Sequence, residues 1–145
     1  MATSEDPDPA ALLLQEDPGL PLAFLTNFAS LCRRTAPDDL AAHAVRLRIR
    51  RLQLLGLAEK HEIDLETALA VADSLLAAID RASSLSDCER LLLGGGIEYF
   101  LLIGDARPDL ATPDGFEDDR VMANAVFAAI GLPELHVPAA PRAFR

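Results

Sequence analysis

Six carboxylates fall within fifteen residues of this chain: Asp105, Asp109, Asp114, Glu117, Asp118 and Asp119, with Arg107 the only base among them. Carboxylates this close raise one another's pKa unless cations or backbone donors compensate them. Three arrangements would do so. In the first, the cluster is a structural lock. Asp114 caps a helix, Glu117 and Asp118 lie at its positive end, and Asp105 and Asp109 accept from backbone N–H groups in the turn. One or two aspartates then pair with Arg46 or Arg50 across the fold. In the second, Asp105, Asp109, Asp118 and Asp119 hold a hard cation, magnesium or calcium. No Asp-x-Asp-x-Asp-Gly loop with a later glutamate is present, so this would not be an EF-hand. In the third, the cluster docks a basic partner. The expectation adopted is the lock.

Other residues with catalytic potential are dispersed. His43, His61 and His136 form no His-Glu-x-x-His spacing, and there is no Gly-x-x-x-x-Gly-Lys phosphate loop. A Gly-x-Ser-x-Gly elbow is also missing. Gly94-Gly95-Gly96 lies in an apolar run without lysine, so it is no phosphate cradle. Tyr99 follows Glu98 and reads as an interior tyrosine hydrogen-bonded to a carboxylate. Cys88 would stand in the first turn of a helix, where the dipole favours a thiolate. With Cys32 it makes no disulfide framework, and both read as incidental thiols.

The elements that must position these groups begin at Ser86. Ser86 and Glu89 have the spacing of a capping box. The run from Leu91 to Ile103 follows, with Glu98 its only charge. A helix apolar on nearly all sides belongs in a core or a membrane, and this one is shorter than the roughly 20 residues a bilayer demands. The reading is a buried central helix over about 86–103. Each glycine of the triplet costs about 1 kcal/mol against alanine in a helix, so a neighbouring helix is expected to approach closely there. Gly104 is a natural stop. Asp114 and Glu117 repeat the capping-box spacing, and Met122, Ala125, Val126, Ala129 and Ile130 form the stripe of a last helix ended by Gly131 and Pro133.

Tyr99, Asp105, Pro108, Asp109, Gly115, Asp118 and Asp119 resemble, in order and spacing, the signature of the YkvA-like domain family. Ile103 stands where many relatives carry proline, Ala106 and Arg107 stand where they are apolar, and Pro113 sits one place late. The resemblance implies a small helical domain and a site around these residues. It implies no reaction. Relatives are often apolar enough to be described as membrane-associated, an association this more polar turn does not favour.

Upstream, residues 1–9 read as a disordered start. Ala10 to Glu16 suits a short helix stopped by Asp17-Pro18-Gly19, and Leu20 to Arg34 a second one carrying Leu22, Leu25, Phe28, Ala29 and Cys32 on one side. Pro37 opens a third helix reaching about Leu57. Its apolar positions fall on two stripes, Val45–Ile49–Leu52 and Leu40–Leu47–Leu54, with Arg46 and Arg50 between them and Arg48 and Arg51 roughly opposite. Two stripes imply two neighbours and a hemmed-in arginine pair. Asp64 caps a fourth helix with Leu65, Leu69, Ala72, Leu76 and Ile79 on its apolar side. The tail over 132–145 holds three prolines and reads equally as an arm or a loose end.

At 145 residues the chain is one domain. Leucine and alanine dominate and tryptophan is absent, which favours helices over sheet. The expected fold is all-α: a single-domain helical bundle of five or six helices over 10–131. A net charge of −10 argues against nucleic acid and suits a basic protein partner. The start is acidic, unlike a signal peptide, and no segment spans a membrane, so the expected location is the cytoplasm. The expected function is protein binding, without cofactor; the alternative is a divalent-metal-dependent, hydrolase-like enzyme built on Asp105, Asp109, Asp118 and Asp119.

Overall fold

The computed structural model describes residues 8–60, 63–102 and 116–139, and the chain is all-α. The described residues form six α-helices and no strand: α1 (Pro9–Glu16), α2 (Leu22–Arg33), α3 (Leu40–Ala58), α4 (Leu65–Asp80), α5 (Asp87–Leu102) and α6 (Glu117–Ala129). Their ends follow local chemistry. Asp8 accepts from the Ala10 N–H at the start of α1, and Asp64 from the Thr67 N–H at the start of α4. Pro37 opens a single 3-10 turn through Asp39, and α3 continues from it. The Ser86–Glu89 capping box is reciprocal: Glu89 N–H donates to Ser86 Oγ at 3.1 Å, and Ser86 N–H to Glu89 Oε1 at 2.9 Å. At the end of α6, Gly131 adopts φ +80°, which glycine tolerates and a side chain resists. Leu132 N–H then reaches the Phe127 carbonyl and Gly131 N–H that of Ala128, the two bonds of a Schellman stop.

Helix α5 runs unbroken through its glycines and buries Leu92 to Ile97, Phe100 and Leu101. Each glycine faces a different neighbour. A Cβ on Gly94 would press on Thr35 and His43. On Gly95 it would collide with Cys32 Sγ and crowd Phe28, and on Gly96 it would lie 3.1 Å from Val126 Cγ2. Helices α2 and α6 and the chain entering α3 thus all close on one turn of backbone. The lost helix propensity is offset by close packing, tightest at Gly95.

Helix α4 lies against α3 and α6. Its fully buried residues are Ala68, Val71, Ala72, Leu75 and Ala78, whereas Leu65, Leu69, Leu76 and Ile79 are only partly covered. The buried line is therefore rotated from the expected leucine stripe. Small alanines let the neighbouring helices approach, and the leucines fill the shoulders between them. In α2 the expected Leu25, Phe28, Ala29 and Cys32 are buried, but Leu22, just after Pro21, is 77% exposed.

Helix α3 corrects the two-stripe expectation. Leu40, Leu47 and Leu54 are buried with His43 and Ala44, while Val45, Ile49 and Leu52 face out. Its main helical neighbours are α4 and α5, on the side that holds Leu40, Leu47 and Leu54.

The domain does not end at Gly131. A 3-10 turn over Pro133–Leu135 leads to Val137, which is 2% exposed. Asn124 of α6 clasps it: Val137 N–H donates to Asn124 Oδ1 at 2.7 Å, and Asn124 Nδ2 donates to the Val137 carbonyl at 2.9 Å. Arg120 donates to the same carbonyl, and Arg81 pairs with Glu134 at 2.6 Å. The tail through Val137 is held against the body.

Candidate functional site

Of the acidic cluster, Asp105, Asp109 and Asp114 lie outside the described residues, as do Pro108 and Gly115 of the YkvA-like signature. Glu117, Asp118 and Asp119 form the first turn of α6, where negative charge meets the positive end of the dipole. Glu117 receives Arg120, holding that guanidinium above its usual pKa. Asp118 is exposed and Asp119 is buried at 2% exposure. Tyr99 stands near both. Its phenol is pushed well above the usual range, first by burial and then by the Asp119 and Asp118 charges. Its ring also packs on Phe24 with centroids 5.9 Å apart. Tyr99, Asp118 and Asp119 are therefore brought together at one corner between α5 and α6.

Arg46 and Arg50, expected to pair with the acidic cluster, have the following partners among the described residues. Arg46 Nη1 lies 2.6 Å from Glu98 Oε2, and Arg50 Nη2 donates to the Leu101 carbonyl at 3.1 Å. The expected pairing with Asp105, Asp109 or Asp114 lies outside the described residues. Arg50 serves the last turn of α5, whose carbonyls lack helical partners. Glu98 takes Arg46 because it is the sole charge in an apolar run and must meet a cation where α3 crosses α5. That solitary charge is the sequence signal for the pairing.

His43 completes this group. It is 2% exposed, and its Nε2 lies 2.9 Å from Glu98 Oε2. With the carboxylate as acceptor, Nε2 carries the hydrogen, and Nδ1 is buried without a hydrogen-bond partner among the described residues. Burial works to raise the Glu98 carboxyl, but hydrogen bonds from Arg46 and His43 outweigh it and hold the group below the usual glutamate range. His43 also abuts Gly94. Glu98 is thus tied to Arg46 and His43, and the site joins α3 to α5 as an electrostatic bolt.

The outer face of α3 is different in kind. Val45 is 54% exposed, Ile49 50% and Leu52 69%, one on each successive turn. Ala41, Ala42 and Gly56 continue the row at either end and are also exposed. By helical position, Arg48 and Leu55 border one side of the row, and Arg46 and Gln53 the other. Four of the chain's thirteen basic residues are on α3, which carries no carboxylate. Arg46 is paired with Glu98 and Arg51 with Asp73. Arg48 is exposed and has no ion-pair partner among the described residues. Such a face can bury apolar area against a second molecule and orient it by charge.

Two hollows remain. A cleft of about 680 Å³ between α2 and the start of α5 is lined by Cys32, Cys88, Arg33 and Leu91, among others. Burial pushes the Cys32 thiol up to about 12, so it stays protonated and inert. The second, beside Arg120, Asn124 and His136, lies along the clasped tail. No helix among the described residues is long and apolar enough to cross a membrane. Comparison with protein families, with curated proteins and with solved structures finds no match.

Proposed function

We propose that this domain is a protein-binding module and that its contact surface is the outer face of α3. The observation that carries the reading is the row Val45, Ile49 and Leu52, each at least half exposed on a helix whose opposite side is buried. A lone exposed leucine means nothing. A row along several turns is unfavourable for a free chain unless something covers it in use. Glu117, Asp118 and Asp119 lie in the first turn of α6, where negative charge suits the helix dipole, and this supports a structural role for the acidic corner.

Photo-crosslinking in the native cell tests this. A photoreactive residue at Ile49 should give discrete adducts, and the same residue at Gln15, exposed on α1, should not. Identical adducts from both positions, or none from Ile49, would remove the support for the face.

A further inference from the structure

We infer that the groove on α6 that holds Val137 is a peptide-binding groove, filled in the free chain by its own tail. Its external ligand is an extended segment of a partner protein with a branched apolar residue at the clasped position. The groove lies on α6, so this inference stands apart from the contact proposed for α3. Asn124 carries it. Its single carboxamide accepts from the Val137 N–H at 2.7 Å and donates to the Val137 carbonyl at 2.9 Å. In extended backbone a residue's own N–H and C=O point to the same side, where an adjacent antiparallel strand would take both. Pro138 biases Val137 toward that conformation, and His136 before it has φ −49° and ψ 135°. The Asn124 carboxamide thus stands in for a neighbouring strand, and the main chain is read as in strand addition.

Recognition is of main chain and one side chain. Arg120 Nη1 adds a donor to the same carbonyl at 3.1 Å, and the Val137 side chain joins the core at 2% exposure. Arg81 and Glu134 pair with side chains 44% and 50% exposed, which adds little. Any extended segment with a valine-sized residue in that place can make the same bonds. The tail also leaves the groove part filled. A hollow of about 330 Å³ between Asp17, just past α1, and Ala128 of α6 lies open beside the exposed His136. A partner segment with a bulkier residue there gains contacts that the tail does not make. The tail has its tether in its favour, an effective concentration on the order of millimolar, so it acts as an intramolecular competitor. A second copy's tail is disfavoured, because exchange brings together two bodies of net charge −10.

A fluorescent peptide with the sequence of residues 132–139 tests the inference on the intact chain. Val137→Asp sets a charge in the apolar seat and expels the tail; Val137→Gly empties the seat without one. Anisotropy should show the peptide binding to both variants, and to wild type roughly tenfold or more weakly, because its own tail competes. N-methylation of the peptide's valine removes the N–H that Asn124 takes, and adding Asn124→Ala to either variant removes the clasp. Each should weaken binding by roughly tenfold. The groove would be overturned by no binding to the folded variants, by binding that N-methylation leaves unchanged, or by wild type binding as tightly as the variants. Loss of folding in both variants would overturn it too, since the tail would then be part of the core. A wild-type dimer in sedimentation that Val137→Asp dissolves would overturn the partner protein in favour of a second copy's tail.

Discussion

Gly95 and Glu98 show how single residues hold this fold. A Cβ at position 95 would occupy the place of Cys32 Sγ. Gly95→Ala should therefore lose about 1–3 kcal/mol through overpacking, reduced by roughly 1 kcal/mol of regained helix propensity. Cys32→Ala opens the space, so the double variant should be more stable than the sum of the singles requires; denaturant melts of the four proteins give the coupling. Glu98 behaves electrostatically. Its pKa is lowered in the fold, so its bonds to Arg46 and His43 add stability above the ordinary value of 4.5, lost as pH falls through the lowered value. Glu98→Gln should cost about 1.5–3 kcal/mol at neutral pH, toward the low end because Arg46 is half exposed. The gap to wild type should close in acid, which melts across a pH series would follow. The capping box at Ser86 was legible in the sequence because its partners are three residues apart. The bond from His43 to Glu98 was not, because it spans 55 positions and depends on where α3 crosses α5.

At the scale of the helices, periodicity revealed that α3 has two apolar rows. It did not reveal which row has a neighbour, because that is decided by where α4 and α5 stand. In α4 the expected side faces the core, with Ala72 buried and Leu65, Leu76 and Ile79 packed at its edge, but the centre of the contact is shifted. Leucine spacing marks a broad apolar side, while the tightest contacts fall to alanines. The tail was open to either reading, and in its described part Asn124 anchors the chain, with one side chain bonded to both backbone groups of Val137. Asn124→Ala should strand the buried Val137 N–H and cost about 1–3 kcal/mol; Arg120 still serves the carbonyl. Faster hydrogen exchange confined to residues 133–139 and the α6 face beneath them would check this.

For the molecule as a whole, composition was sufficient for the all-α class and for single-domain size, since leucine, alanine and scarce β-branched residues leave few other solutions. The net charge of −10 was a poorer guide, because it concealed a helix of four arginines and no carboxylate. The exposed apolar face has Arg48 on one border, and Arg46 on the other is paired with Glu98. That face must be open in the free protein if it is to serve as a docking surface. The most direct test compares the chemical denaturation of Ile49→Asp with that of Leu47→Ala, one position on each side of α3. Leu47→Ala should cost about 2–5 kcal/mol, as core truncations do, and Ile49→Asp should stay within about 0.5 kcal/mol of wild type. A loss at Ile49 as large as that at Leu47 would mean the chain itself covers the row, and the account would be wrong.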